Sequence, residues 1–105
     1  MATNRPAKLP DAMLLKLIRE AERTGAYRFV AHAAQRLEER SISLIEIQHI
    51  LRHGYREARK DEFKAEHKTW NYALRGRTLD SRELRLALTP GGPGLFIITA
   101  IDLTN

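Results

Sequence analysis

The chain has 105 residues, 43% of them hydrophobic and 30% charged, with no cysteine and a formal net charge of +5. That length holds one core rather than two, and the apolar content is too high for a disordered chain. The absence of thiols rules out disulfides and thiolate metal sites, which fits a reducing cytoplasm. No run approaches the roughly 18 apolar residues of a membrane helix, and residues 1–10 lack the apolar stretch of a signal peptide.

Residues 1–10 read as a flexible leader to a single domain over 11–105. Pro10 and Asp11 open an N-capped amphipathic helix with Leu14, Leu17, Ile18 and Ala21 at helical spacing, and Gly25 stops it. Residues 26–30 are short, aromatic and β-branched, suiting an extended connector or an edge strand. A second helix is expected near 31–40, with Val30, Ala33, Ala34 and Leu37 as its apolar stripe and His32, Gln35, Arg36, Glu39 and Arg40 on the other side. Ser43 and Glu46 form a capping box for a third helix, whose Leu44, Ile47, Ile50 and Leu51 point inward and whose C′ residue is Gly54.

Residues 55–67 are ambiguous: 55–59 suit a first strand and 61–67 a loop or helical turn. After them the period becomes two. Trp70, Tyr72 and Leu74 alternate with Asn71, Ala73 and Arg75; beyond a turn at 78–81, Leu84, Leu86 and Leu88 alternate with Glu83, Arg85 and Ala87. The stretch 90–94, rich in Pro and Gly, is a hairpin turn, and 95–103 is apolar on both faces, as a doubly covered strand is. The expected fold class is α+β: two to three N-terminal helices packed on a curved antiparallel sheet of three to four strands.

The charge is unevenly spread. Residues 52–85 carry ten Lys or Arg against six Asp or Glu, whereas 86–105 carry only Asp102. Thirteen of the eighteen basic residues are Arg, whose planar fork grips phosphate in bidentate fashion. Nucleic acid is the first partner to consider, since each neutralised phosphate releases counterions.

Three constellations bear on chemistry. Steps of four place His32, Arg36 and Arg40 along one helical ridge, suiting a base and fixed cations for phosphodiester cleavage; the alternative is a solvated face on which Glu38 and Glu39 pair the arginines. Lys68, Trp70, Tyr72, Arg75, Arg77, Arg82 and Arg85 interleave aromatics with cations on adjacent strands, as stacking on single-stranded RNA requires. Trp70 is preferred as core, whereas Tyr72 stays open because its hydroxyl suits the edge of a core. His49 and His53 are four apart on one helix, a zinc-ligand spacing, but with no Cys and only Glu46 one turn away a closed metal site is not expected.

The order of these features resembles the RelE and MqsR toxins, small prokaryotic ribonucleases. The residues that carry the resemblance are the His32, Arg36 and Arg40 segment followed by Ile42-Ser43 and Glu46-Ile47, the basic strand positions Arg75 and Arg85, and Thr99 in a final apolar strand, over residues 12–103. The resemblance implies a helix pair on a curved antiparallel sheet, metal-independent cleavage of single-stranded mRNA by 2′-hydroxyl attack, no cofactor, and an antitoxin protein as partner, with room for a homodimer. On that reading His32 is the acid or base, Arg36, Arg75 and Arg85 hold the phosphate, Tyr72 stacks a base, and Arg40, Lys68, Arg77 and Arg82 contact the nucleic acid. No second catalytic group is obvious unless Glu66, His67 or Tyr72 serves. The alternative is a non-catalytic RNA-binding or protein-docking module using the same arginines.

Overall fold

The computed structural model describes residues 5–104. Helix α1 (Asp11–Thr24) buries Leu14, Ile18 and Ala21, one face of a 3.6-residue repeat, and Gly25 ends it in the left-handed region at φ 76°, donating back to the Ala21 and Glu22 carbonyls. No side chain caps its start. Pro10 occupies the cap position and Asp11 is already helical, so its carboxylate is left to pair with Arg56.

Strand β1 (Tyr27–Phe29) is an edge strand, and helix α2 (Ala31–Glu39) follows it directly. Only Ala33 and Leu37 of α2 are buried; Ala34, expected in the apolar stripe, is exposed. In helix α3 (Leu44–His53) the capping box forms as expected and Ile47, Ile50 and Leu51 are buried. Leu44 is not inward but 49% exposed, because the interior face begins a turn later, at Ile47. Gly54 ends α3 at φ −66°, in extended backbone rather than as a left-handed C′ residue. It is glycine for space: a Cβ there would stand 2.6 Å from the Ile50 carbonyl oxygen and 2.9 Å from that of Arg75.

Residues 55–67 form neither one strand nor one loop. Strands β2 (Tyr55–Arg56) and β3 (Glu62–Lys64), separated by a 3₁₀ turn (Ala58–Lys60), both pair antiparallel with the long strand β4 (Thr69–Arg77). Strands β4, β5 (Glu83–Gly91) and β6 (Gly94–Asp102) form an antiparallel meander, and β1 adds to β6 in parallel, giving the order β1-β6-β5-β4-β2 with β3 also on β4. The fold is therefore α+β, with three helices and a six-stranded mixed sheet instead of three to four antiparallel strands. The added strands are two or three residues long, too short to show a period of two.

One sheet face carries Tyr72, Leu74, Leu84, Leu86, Leu88, Leu95, Ile97 and Ala100 into a core shared with the helices. Among the described residues no α-helix packs on the other face. Strand β6 is consequently not doubly covered: Phe96, Ile98, Thr99 and Ile101 are partly or fully exposed. Its pairing shifts register between Ala87 and Leu88, where an extra residue in β6 turns both Ile98 and Thr99 toward the open face.

The expected flexible leader falls in two parts. Residues 1–4 lie outside the described residues. Residues 5–10 run against the sheet: Trp70 Nε1 donates to the Pro6 carbonyl (2.8 Å), the Leu9 N–H to the Tyr72 hydroxyl (3.0 Å) and Lys8 Nζ to Asp61 (2.9 Å). Among the described residues no helix is long and apolar enough to cross a membrane.

Candidate nucleic-acid interface

The open face is built by alternation. Every residue that points into the helix layer leaves its neighbour on the bare side, so the β4–β5–β6 ladder presents Arg75, Arg85 and Ile101 in one row and Ala73, Ala87 and Thr99 in the next. Beyond the bulge Thr89 stands opposite Phe96, with Asn71 following on β4. The small Ala73 and Ala87 leave a trough between bulkier ends. One depression, of about 340 Å³, is bordered by Arg59, Lys60 and Arg85, by the acidic Asp61 and Glu62, and by Ala87 and Thr99. A second, of about 560 Å³, is bordered by Val30, Lys64, His67, Asn71, Thr89 and Phe96, with Glu66 on its rim. Adjacent ladder rows line the two, so they follow one another along the strands of the open face.

At the first end the cations gather around Glu57, a buried carboxylate. Arg85 donates to it through Nε (2.7 Å) and Nη2 (3.2 Å), Arg75 through Nη1 (3.1 Å) and Arg59 through Nη2 (3.3 Å), while Arg75 also pairs Glu83. Chiefly the Arg85 hydrogen bonds, with Arg75 adding and burial opposing, lower the Glu57 carboxyl from 4.5 to about 2. A value lower in the fold than in the unfolded chain means that the pairing stabilises above about pH 4.5 and that this contribution is lost as pH falls toward 2. Glu57→Gln should therefore lower the melting temperature at pH 7 and flatten its decline between pH 4.5 and 2, followed by circular dichroism. Parallel acid declines in parent and variant would refute this assignment.

The expected site residues are dispersed. His32 and Arg36 are exposed on α2, but Arg40 is tied to the sheet, its Nη1 donating to the Ala100 carbonyl, so the ridge of three does not stand free. Helix α2 lies beside β6, whereas Arg75 and Arg85 converge on Glu57 beyond β5; His32 and this arginine cluster are not brought together. Tyr72 faces the core, 4% exposed, with Leu9 on its hydroxyl and the Arg56 guanidinium 5.3 Å from its ring, so it has no face on which to stack a base. Trp70 also lies on the core side, half-buried against Phe63, as preferred. Arg82 is occupied too: it pairs with Glu46, Asp80 and Asp102 and donates to the Ser41 carbonyl, fastening α3 to the sheet. Arg77 is exposed and pairs loosely with Glu83, and Lys68 is exposed in the β3–β4 turn at φ 53°. Thr99 does lie on the open face.

Two residues of this face escaped the sequence reading. Asn71 alternates with the core residue Tyr72, so its outward placement was legible but its role was not; Phe96 was hidden in an apolar run without a period. His67 and Glu66, considered only as substitutes for a missing catalytic group, border the larger depression. The His49 and His53 rings stand 4.8 Å apart on α3, and no third ligand-type residue joins them among the described residues.

No curated protein and no solved structure matches the chain significantly. The sequence profile of one family, described as a domain of unknown function (DUF4258), matches residues 29–102, from β1 through the end of β6. The match takes in α2, α3 and every strand of the open face, and the chain is therefore a member of the DUF4258 family.

Proposed function

We propose that the protein is a metal-independent endoribonuclease of the toxin type, acting on single-stranded mRNA in the cytoplasm and held in check by an antitoxin protein. The observation that supports this reading is the open face itself, with cations at one end and an imidazole, a carboxylate and an aromatic ring at the other. In the proposed reaction the 2′-oxygen attacks the adjacent phosphorus and the 5′-oxygen leaves, giving a 2′,3′-cyclic phosphate and a 5′-hydroxyl end. One group takes the 2′ proton and another protonates the leaving oxygen. His67 borders the larger depression, whereas His32, exposed on α2, does not line it and reaches an RNA there only if the strand runs over the start of that helix. These two imidazoles are the proposed acid–base pair, and Arg59, Lys60 and Arg85 are the proposed contacts to a phosphate farther along the same strand.

The test is single-turnover cleavage of a labelled RNA with EDTA present, together with binding at several salt concentrations. Cleavage should persist in chelator. Arg59→Ala with Lys60→Ala should reduce the log–log salt slope by about 1.4, two single-strand phosphate contacts, without leaving Glu57 unpaired as changes at Arg75 and Arg85 would. Cleavage abolished by EDTA and restored by a divalent ion would overturn the metal-independent mechanism. RNA bound but never cut would favour the binding-module reading.

A further inference from the structure

Asn71 is 9% exposed, and its carboxamide takes no hydrogen bond within the described residues. A buried amide left unpaired is costly, and among the described residues no fully buried side-chain nitrogen or oxygen lacks a partner. The two facts are reconciled by the larger depression, which Asn71 lines: the remaining exposure of its carboxamide opens there, where water or a ligand satisfies it. Across the ladder Phe96 lies beside Gly91. A Cβ at Gly91 would fall 2.3 and 2.4 Å from two adjacent ring atoms, so the edge of the ring lies against Gly91, and the ring lines the depression. A glycine beside an aromatic ring is ordinary sheet packing; beside it, a largely buried Asn71 keeps its carboxamide open to the depression, with donors and an acceptor free to bind there.

We infer that this depression is a pocket for one unpaired nucleobase, with Phe96 as the stacking platform and Asn71 as the reader of the base edge. The carboxamide offers donors and an acceptor side by side, the pattern that base edges present. Phe96 takes the role that buried Tyr72 cannot. The cations at Arg59, Lys60 and Arg85 lie four ladder residues away, from Arg85 to Thr89, or about 13 Å along the strand, which places a phosphate of the same RNA strand there while the base is held. A base within a duplex has both its faces and its edge engaged and cannot enter, so the pocket also selects single strands. The inference rests on the RNA reading above and deepens it.

The experiment compares three fluorescein-labelled probes of equal length by anisotropy at low salt: a single-stranded RNA, the same backbone made abasic, and a duplex. The full-length protein should prefer the base-bearing single strand to the abasic one by roughly ten-fold or more, the size of one stacked base. Phe96→Ala and Asn71→Ser should each reduce that preference toward unity while abasic binding stays within about two-fold of the parent. Phe96 is partly exposed, so its variant keeps the test valid should Asn71→Ser fail to fold, which a thermal melt reads. Equal affinity of the parent for base-bearing and abasic strands would overturn the pocket while leaving RNA binding in place. No binding of any probe would instead overturn the RNA reading and the pocket with it.

Discussion

His67→Gln should slow single-turnover RNA cleavage by roughly 10²–10⁴-fold, the range of a general acid or base, with His32→Gln falling in the same range. An unperturbed imidazole changes charge near neutral pH and is the side chain best suited to exchange a proton with a ribose hydroxyl or a leaving oxygen. Of the four histidines, His49 and His53 sit together on α3, on the helical side of the sheet, whereas His67 stands in the turn between β3 and β4, over the open face. His49→Gln and His53→Gln should therefore cleave within a few-fold of the parent. None of these changes should cost much stability, because His32, His53 and His67 are exposed and His49 is only half-buried. Parent-like cleavage in both His32→Gln and His67→Gln would remove the acid–base pair; a loss confined to Glu66→Gln would move the role to the carboxylate beside it.

The largest effect on stability is expected at Asp61. Its side chain is 1% exposed and both oxygens are used: Oδ1 accepts from Arg56 Nη1 (3.0 Å) and the Ala73 N–H (2.8 Å), and Oδ2 from Lys8 (2.9 Å) and the other Arg56 nitrogen. Burial opposes the charge of Asp61, yet the Arg56, Ala73 and Lys8 hydrogen bonds together hold its carboxyl below the usual range. Arg56, itself 5% exposed, continues to the Ala73 carbonyl and to Asp11, so one ion pair joins the start of α1, the β2–β3 connection and the middle of β4. Asp61→Ala leaves that guanidinium buried with only the exposed Asp11 carboxylate opposite it, a loss of about 3–5 kcal/mol. In a domain of this size that is a fall in Tm of at least about 12 °C. The double variant Arg56→Met with Asp61→Leu, which removes both charges, should recover much of the loss. A single variant melting within a few degrees of the parent would show that the pair contributes little.

Much of this arrangement was legible in the sequence because it rests on local or periodic signals. The three helices follow from apolar spacing, from the Ser43–Glu46 box and from Gly25, and the β4–β5–β6 meander from the alternation of Leu84, Leu86 and Leu88 with Arg85 and Ala87 and from the turn at 90–94. The arginine-rich character of one sheet region also follows, since alternation puts Arg75 and Arg85 opposite the core residues Leu74 and Leu86.

Tertiary structure alone decided how those residues are used. Strands of two or three residues carry no period, so β1, β2 and β3 appear only when β4 and β6 offer edges to pair with. Whether an apolar run is covered on both faces depends on how many layers the chain can build, and three short helices cover only one, which exposes Phe96 and Ile98. A hydrogen bond to the Ala100 carbonyl tied down Arg40, and pairing between charges distant in sequence withdrew Arg82 and, in part, Arg75 and Arg85 from solvent, because a buried carboxylate such as Glu57 needs its guanidinium partners wherever they lie in the chain. The candidate site thus keeps only His32 of the α2 ridge and centres on the open sheet face, where Asn71, Phe96 and His67 meet only because the strands fold beside one another.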